Sequence, residues 1–322
     1  MEENPLISIA MATYNGEKYI REQIDSILNQ TYTSFELIIC DDGSTDKTRS
    51  ILQEYSQKDK RIKLYFNENN LGFKKNFEKS VYFAQGKFIA FCDQDDIWEP
   101  FKLETSVEQI GDNDVYCSNA LLFAQKYDDT NKTMMEYLSV KYIPESNKRK
   151  ARHFLHHNIC QGTTMLCKSD FVKNNLPIPA EFAYHDWYFA LLASTQNGLI
   201  YDKNCTIKYR QHQNTVTGEK KAETFRETLT KKHDSNICDE HKNNITICSF
   251  VSKSRLFSDD FRKYAEDCLK YYNKMSEKKD FSTLHFFAKN YGDFIWDKNP
   301  VHKLLFIFKR FLGVIKFKIK HK

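Results

Sequence analysis

The sequence predicts an α/β fold with a mainly parallel central sheet flanked by helices on both faces. Short apolar runs alternate three times with segments of helical apolar spacing, and a fourth apolar run follows. This alternation is typical of repeated strand–helix units, which build parallel sheets. The 322 residues are 41% hydrophobic and 14% aromatic, which is enough apolar material for a sizeable core.

Each element of the first half follows from its local pattern. Helical spacing is clearest where Tyr19, Ile20, Ile24, Ile27 and Leu28 recur on one face. The predicted strands are Leu6–Ala12, Phe35–Cys40, Ile62–Phe66 and Phe88–Cys92, and the predicted helices are Glu17–Leu28, a helix capped by Ser44 or Thr45, and Phe73–Ala84.

The second half has a weaker pattern. Tyr127–Arg152 is polar and charged and is interpreted as a surface excursion. Periodicity then predicts a strand over Thr163–Cys167, a helix over Trp187–Ser194 and a strand over Thr206–Tyr209. Residues 220–290 are predicted to be mostly helical.

Composition narrows the class of protein. Nine scattered cysteines, with no pair at CxxC spacing, disfavour a disulfide framework or a cysteine zinc site and favour a reducing compartment. The acidic start does not resemble a signal peptide, and no apolar stretch is long enough to span a bilayer. The net charge of +5 belongs to the end of the chain, because eight basic and no acidic residues occur from Lys298 onward. A generally nucleic-acid-binding surface is therefore not expected.

The sharpest motif is Asp93-Gln94-Asp95-Asp96, directly after a predicted buried strand. Three carboxylates in four positions repel each other unless a cation neutralises them. A hard ion such as Mg²⁺ or Mn²⁺ binds carboxylate oxygens and keeps positions for phosphate oxygens. The motif therefore favours a divalent metal that holds a diphosphate, and an acidic surface turn or helix cap is the alternative.

Two further polar loops follow predicted strands. Asp41-Asp42-Gly43-Ser44 offers a carboxylate to a base or a ribose, and Thr13-Tyr14-Asn15-Gly16 offers polar and aromatic contacts to a base. Ligands of parallel sheets bind at the carboxyl ends of the strands, where all three loops are expected. Plain turns before helices are the alternative. Neither GxGxxG nor GxxxxGK[ST] is present, so a dinucleotide or P-loop site is not supported.

A family resemblance rests on three segments: SIAMATYNGEKYIREQIDSILNQTYTSFELIICDDGSTDKT, NLGFKKNFEKS and FIAFCDQDDIW. Together they resemble the family 2 inverting glycosyltransferases, in particular the rhamnosyltransferase-like bacterial members that build surface polysaccharides. The resemblance covers residues 5–215. It implies the GT-A nucleotide-sugar fold, a dTDP- or UDP-sugar donor and inversion at the anomeric carbon.

The resemblance also implies roles for the polar loops. Asp41 is expected to contact the base, with Thr13, Tyr14 and Asn15 nearby. Asp93 and Asp95 form the DxD element, Asp93 beside the nucleotide and Asp95 as the first choice for the metal. Asp96 is expected to be structural or to support these ligands.

Two later segments match as well. The loop Asn158–Thr164, with Gln161 and Gly162, resembles the one that borders the acceptor and the donor sugar, and an ordinary turn is the alternative. Trp187 is expected to border the same sugars. Asp186, before Trp187, occupies the position of the family's catalytic base. A positioned carboxylate can take the proton of an attacking hydroxyl, whereas a mere helix cap is the alternative role. His185 is a rival base but is better read as a packing or orienting residue.

The segment Tyr209-Arg210-Gln211-His212 matches the family's YRQH motif. Arg210 is expected to reach the diphosphate, and His212 is a candidate metal ligand, with a structural histidine as the alternative. The family continues with Gly-Asn-Asn where this chain has Gln213-Asn214-Thr215, which leaves the local loop geometry open.

The predicted organisation has three parts: a GT-A catalytic domain over 1–218, with a nucleotide-sugar half over 1–121 and an acceptor half over 122–218, a helical extension over 219–297 and a basic amphipathic tail over 298–322. The tail interleaves apolar and basic residues and suits an anionic leaflet, with a packed helix as the alternative. The expected location is cytoplasmic, peripheral at the inner face of the cell membrane, and the expected acceptor is a glycan or a lipid-linked glycan.

Two other functions remain open on sequence grounds. A nucleotidyltransferase that makes sugar nucleotides would share the fold but usually has a Gly-rich basic loop after the first strand, where this chain has TYNGEKY. A non-catalytic sugar-nucleotide or glycan-binding protein would not need the acidic cluster together with Asp186.

Overall fold

The structure is a computed structural model that describes residues 4–123, 132–212, 236–277, 281–295, 299–301, 303–304, 307–308 and 311. The described residues fall into two compact units. The first comprises those within Met1–Leu138 and Ile159–Lys220, and the second those within Ser139–Asn158 and Lys221–Lys322.

Eight strands form one sheet in the first unit. They are β1 Ile7–Thr13, β2 Phe35–Asp41, β3 Ile62–Phe66, β4 Phe88–Cys92, β5 Ile97–Trp98, β6 Val115–Phe123, β7 Met165–Lys168 and β8 Leu199–Arg210. Their order across the sheet is β3-β2-β1-β4-β7-β6-β8-β5.

Helices of the first unit connect these strands. They are α1 Ile20–Leu28, α2 Thr48–Lys58, α3 Phe73–Phe83, α4 Lys102–Ile110, α5 Met134–Tyr137, α7 Ser169–Asn174 and α8 His185–Thr195. In the second unit the helices are α6 Asn147–Phe154, α9 Asn236–Lys253, α10 Asp259–Glu277, α11 Phe281–Lys289 and α12 Tyr291–Phe294.

The first four strands are parallel, as the sequence predicts. β1 lies between β2 and β4, with Thr13 opposite Asp41 and Met11 opposite Cys92. β3 extends the sheet on the far side of β2. This register brings the carboxyl ends of β1, β2 and β4 to one edge, so the polar loops that follow these strands start close together.

The rest of the sheet is mixed. β7 is antiparallel to both β4 and β6, β8 is parallel to β6, and the short β5 is antiparallel to β8. β8 is also longer than the predicted Thr206–Tyr209, because its first half pairs with β6 from Val115 onward. The predicted α/β class with helices around a mainly parallel sheet is confirmed. The sequence pattern did not predict strands β5 and β6 or the antiparallel direction of β7.

Side chains are buried on both faces of the sheet in the first unit, with Ile38 and Phe91 on one face and a larger cluster on the other. Ile9, Leu37, Ala90 and Leu166 are fully buried on neighbouring strands, and Ile24 of α1 is buried in the same cluster. Burial of such side chains contributes about 1.5–3 kcal/mol each. A packed sheet of this kind holds the loops at its edge in fixed positions.

Part of the predicted surface excursion is helical. Asn147–Phe154 folds as α6, with Lys150, Ala151, His153 and Phe154 buried in the second unit. The sequence NKRKARHF has only two apolar residues, so its periodicity is too weak to indicate a helix. The expectation that 220–290 is mostly helical holds over α9, α10 and α11.

The predicted domain boundaries stay predictions. The structure groups Ser139–Asn158 with the C-terminal helices, whereas the sequence pattern places them in the acceptor half. Most of the tail over 298–322 lies outside the described residues, as do Gln213, Asn214 and Thr215. Within the described parts of the chain, no helix has the length and apolar character needed to cross a bilayer.

Candidate functional site

Three polar loops meet at the carboxyl edge of the sheet. The Tyr14 amide donates to Gln94 Oε1 at 2.9 Å, and Gln94 Nε2 donates to the Tyr14 carbonyl at 3.0 Å. The loops after β1 and β4 are thus joined by two hydrogen bonds. The Tyr14 side chain is 49% exposed, so its ring is open to a ligand at this edge.

The loop after β1 is also joined to the loop after β2. The Asn15 amide donates to Ser44 Oγ at 2.8 Å, and Asn15 Oδ1 accepts from the Thr45 amide at 2.8 Å. Asn15 adopts a positive φ of 49°, a conformation that asparagine tolerates better than most residues. The predicted base-contacting residues therefore form part of one cross-linked loop system.

Asp41 lies fully buried at the end of β2. Oδ1 accepts from Thr13 Oγ1 at 3.2 Å and from Ser44 Oγ at 2.5 Å, and Oδ2 accepts from the Ser44 amide at 3.1 Å and from Arg49 Nε at 2.7 Å. A carboxylate has about four acceptor positions, and these contacts use them. Contact with a base therefore requires one partner to yield, and the Thr13 hydroxyl has the longest bond.

Asp93, Asp95 and Asp186 lie near one another. Burial raises the pKa of Asp93 to about 7, and the negative charges of Asp95 and Asp186 act in the same direction. The sequence distance between Asp93 and Asp186 is large, so the fold brings together the two segments that were predicted to act in one site. Like charges so arranged are stabilised by a cation.

His212 contacts the acidic cluster. Its Nε2 lies 2.8 Å from Asp95 Oδ2, and its ring stacks on Tyr19 at a centroid distance of 5.0 Å. Imidazole and carboxylate are both ligands for divalent ions, so the pair suits either a metal site or a direct hydrogen bond.

Arg210 is buried and has protein partners. Its Nε donates to the Asp95 carbonyl at 2.7 Å, its Nη2 contacts Glu22 Oε2 at 2.5 Å, and the guanidinium lies over Tyr19 at 4.4 Å. Its backbone amide donates to Asp96 Oδ1 at 2.9 Å. These contacts favour a structural role for Arg210 and Asp96, holding β8 against the acidic loop. Contact between Arg210 and a diphosphate stays a prediction.

Asp186 connects helix α8 to the loop before β7. Its Oδ1 accepts from the Trp187 amide at 2.6 Å and its Oδ2 accepts from the Gly162 amide at 3.1 Å. The first contact is a local bond within the first turn of α8, because this helix begins at His185 and its N-cap residue, Tyr184, forms no side-chain cap. The second contact orients the carboxylate toward the Asn158–Thr164 loop. Asp186 therefore stabilises this region and is held in a fixed orientation.

His185 is packed against aromatic rings. It lies between Phe77 and Phe91, each with a ring-centroid distance of 4.5 Å, and burial lowers its pKa to about 3. Because the imidazole is neutral and enclosed by aromatic rings, a packing role for His185 is favoured over the role of a rival base. In the adjacent loop Gln161 is buried and donates to the Ile159 carbonyl at 3.0 Å.

The acidic residues and His212 fit a divalent ion in part. The described residues contain no group of three or more His, Cys, Asp or Glu already arranged as a metal site. Mg²⁺, however, is commonly held by one or two carboxylates with substrate phosphates and water as the other ligands. Asp93 and Asp95 supply two carboxylates in a region of negative charge, which matches the one or two carboxylates that Mg²⁺ needs from a protein.

Sequence reasoning did not predict the contacts of four residues that hold the site. Arg49 and Ser44 hold Asp41, Glu22 pairs with Arg210, and Gln94 joins two loops. Gln94 carried a signal, because it lies within the acidic motif. Glu22 and Arg49 are ordinary helix-surface residues in the sequence, and only the tertiary structure shows their partners.

Comparisons with known proteins identify the family. The family model described as Glycosyl transferase family 2 matches residues 8–174. An uncharacterised glycosyltransferase of Methanocaldococcus jannaschii is 38% identical over 176 residues, which are 53% of this chain and 58% of the relative. The matched segment thus spans less than two thirds of that relative's length.

Two further relatives have more specific names. The Escherichia coli UDP-Glc:alpha-D-GlcNAc-diphosphoundecaprenol beta-1,3-glucosyltransferase WfgD is 30% identical over 69% of this chain and 83% of its own length. The Shigella flexneri dTDP-rhamnosyl transferase RfbG is 29% identical over 65% of this chain and 73% of its own length.

Solved structures share the fold. Staphylococcus aureus TarS 1-349 in complex with UDP-GlcNAc has a TM-score of 0.57 at 18% identity, with 90% of this chain and 81% of that chain covered. The Pyrobaculum calidifontis mannosyltransferase PcManGT, in complex with GDP-Man and Mn²⁺, has a TM-score of 0.57 at 15% identity, with 94% and 79% covered. The fold is thus the GT-A type, and the chain belongs to family 2 of the glycosyltransferases.

Proposed function

We propose that this chain transfers a sugar from a dTDP- or UDP-sugar to a hydroxyl of a glycan or lipid-linked acceptor, with inversion at the anomeric carbon, in the synthesis of surface polysaccharide. The observation that carries the proposal is that the negative charges of Asp95 and Asp186 lie close enough to Asp93 to raise its pKa, at the edge where the loops after β1, β2 and β4 are joined. The names of the E. coli and Shigella relatives support a nucleotide-sugar donor, with rhamnose among the candidate sugars.

The donor nucleotide would lie at the edge formed by Thr13, Tyr14, Asn15 and Asp41. The exposed Tyr14 ring can stack on a base, and the cross-linked loops keep the edge rigid. Asp93 would face the nucleotide from the neighbouring loop. Binding of this kind orients the anomeric carbon toward the acceptor hydroxyl before the reaction.

A divalent ion, Mg²⁺ or Mn²⁺, would be held by Asp93, Asp95 and His212. When bound, it supplies positive charge that stabilises the departing diphosphate. The crowding of Asp95 and Asp186 around Asp93 supports this proposal, because like charges so close together are stabilised by a cation. Arg210 uses its guanidinium on Glu22 and the Asp95 carbonyl instead.

Asp186 would serve as the base. The acceptor hydroxyl loses its proton to the Asp186 carboxylate as its oxygen bonds to the anomeric carbon, while the bond from that carbon to the phosphate oxygen breaks and its electron pair leaves with the nucleoside diphosphate. The amides of Gly162 and Trp187 hold the carboxylate in one orientation. One displacement inverts the configuration and needs no covalent enzyme intermediate.

The test separates catalysis from a purely structural role of Asp186 in the first turn of α8. Asp186→Asn keeps an acceptor oxygen for the Trp187 amide, so we expect the melting temperature to change little while sugar transfer or donor hydrolysis falls about 10²–10⁴-fold. Activity is measured with a panel of dTDP- and UDP-sugars in the presence of Mn²⁺ or Mg²⁺.

The matched control is Asp170→Asn. Asp170 is also an acidic residue in the first turn of a helix, but it is exposed on α7. We expect this variant to retain full activity. If Asp186→Asn transfers sugar as fast as Asp170→Asn, Asp186 has only a structural role. Release of pyrophosphate from a nucleoside triphosphate would instead support a nucleotidyltransferase.

A further inference from the structure

The second unit contains a cavity of about 440 Å³ that the proposed transfer reaction does not use. One wall comes from helix α6 and the residues just before it. The other runs from the end of α11 through α12 to the residue after it. Four cationic side chains line it: Lys148, Arg149, Arg152 and Lys289. Asp293 is the one carboxylate among the lining residues.

The single carboxylate of the lining is already used. Arg152 Nη1 lies 3.3 Å from Asp293 Oδ2, and the Tyr264 hydroxyl donates to the same oxygen at 3.0 Å. Arg152 also lies over the Tyr264 ring at 4.4 Å. Arg152 and Asp293 therefore neutralise each other within the wall.

Three positive charges remain without compensation. Lys148, Arg149 and Lys289 are exposed, and the structure shows no ion pair for their side chains with any residue that it describes. His153 adds no charge, because burial and the nearby charges of His157 and Arg149 lower its pKa to about 3. The cavity mouth is thus strongly basic at neutral pH.

The helix itself makes this arrangement unfavourable in the absence of an anion. α6 starts at Asn147, has no acidic residue in its first turn, and Ser146 forms no side-chain cap. Lys148 and Arg149 place positive charge at the end of the helix where the dipole favours negative charge. Cations gathered at that end and around a concave surface are stabilised by a bound anion.

The side chains indicate the class of anion. An arginine fork binds phosphate oxygens bidentately, and lysines add point charges around the same group. The volume exceeds that of one phosphate and lies within the range of small-molecule sites, and Tyr142, Pro144 and Ile295 add apolar wall. We propose that this cavity binds a phosphate or diphosphate group, either on a soluble ester or on a lipid head group. The proposal does not depend on the assigned transfer reaction.

Binding is tested on the full chain with two probes. Inorganic pyrophosphate is titrated by calorimetry in the presence of a chelator, and phosphatidylcholine vesicles with or without phosphatidic acid are tested by cosedimentation. The variant is Lys148→Gln/Arg149→Gln/Lys289→Gln. The control is Lys253→Gln/Arg255→Gln/Lys263→Gln, which removes equal charge from residues of the same unit outside the cavity lining.

We expect at least one probe to bind the wild type, more weakly as salt increases. The cavity variant should weaken that binding about tenfold or more, and the control should leave it within about twofold. If pyrophosphate binds with this pattern, the ligand is a soluble anion. If the vesicles with phosphatidic acid bind and pyrophosphate does not, the ligand is a lipid head group.

The proposal is overturned if neither probe binds the wild type, or if cavity and control variants weaken binding equally. Equal binding by the cavity and control variants is also expected if pyrophosphate binds only beside Asp93, and that result likewise rules out the cavity. Should the triple variant fail to fold, Lys289→Glu alone must weaken binding relative to Lys263→Glu. Activity of Asp186→Asn is independent of these results, so failure here leaves the transfer reaction to its own test.

Discussion

At the scale of single residues, Gly162 and His185 pack closely against each other beside the candidate base. A Cβ atom on Gly162 would lie 2.3 Å from His185 Nε2. The rings of Phe77 and Phe91 pack against the His185 ring at centroid distances of 4.5 Å each, so the imidazole has little room to move. Gly162 also donates to Asp186, so a shift of this loop changes the orientation of that carboxylate.

Gly162→Ala is therefore expected to be destabilising and to reduce transfer. Overpacking of this kind costs about 1–3 kcal/mol, which is measured by denaturant unfolding alongside the transfer assay. Gly292→Ala is the control, because a Cβ there meets nothing within 4 Å. Equal stability of the two variants would show that the His185 ring yields easily.

Residue roles differ in how far the sequence alone predicts them. Asp93, Asp95 and Asp186 are polar residues at strand or helix ends, and their type and position are enough to indicate chemistry. Arg210 is expected from its motif to be a diphosphate ligand, yet its partner Glu22 lies 188 residues earlier in the chain. Such a pairing leaves no local pattern, so it could not be predicted.

At the scale of elements, helix α6 and the residues after it form a buried histidine cluster in the second unit. His156 Nδ1 lies 2.8 Å from the Tyr272 hydroxyl of α10, and the ring stacks on Phe294 of α12 at 4.1 Å. Burial, with the nearby His157 and His153, lowers the pKa of His156 well below its usual value. For His153, burial lowers the pKa to about 3.

These shifts predict loss of stability in acid. Both histidines stay neutral in the folded state while the unfolded chain takes up protons below about pH 6.5. The stabilising contribution is complete above about pH 6.5 and is lost as the pH falls toward the lowered pKa values. We expect each histidine to cost up to about 1.4 kcal/mol per pH unit in that range.

The measurement is the free energy of unfolding of the full chain between about pH 7.5 and 5, which spans the unfolded pKa of histidine. His156→Gln keeps an acceptor for Tyr272 and should show a shallower pH slope than the wild type. His285→Gln, at an exposed position of α11, should keep the wild-type slope. Identical slopes in all three proteins would contradict the assignment.

Elements also show where sequence patterns fail. β1, β2 and β4 are continuous apolar runs, and their parallel pairing follows from the helices between them. β7 is antiparallel to both neighbours, and β6 pairs with the distant β8, so both depend on contacts far along the chain. α6 escapes prediction because its surface is basic and only Ala151 and Phe154 provide apolar spacing.

At the scale of the whole molecule, sequence motifs and fold agree on the family, and the sheet explains why motifs far apart in the chain lie close together. The register of β1 with β2 and β4 aligns the first residues of the three loops that follow these strands. Asp186, in the first turn of α8, lies near enough to the same region for its charge to act on Asp93. The basic cavity of the second unit was not predicted, although the charge run around Lys148–Arg152 marks one of its walls. Charge alone could not show which cations already have partners.

The central claim is that the carboxylates beside the sheet bind a cation together with the donor's diphosphate. The most direct measurement is the affinity for UDP and dTDP with and without Mn²⁺, in the wild type, in Asp93→Asn/Asp95→Asn and in Asp186→Asn. We predict about tenfold or more tighter nucleotide binding with Mn²⁺ in the wild type and in Asp186→Asn, and no effect of Mn²⁺ in the double variant. Equal dependence on Mn²⁺ in all three proteins, or none in the wild type, would contradict it.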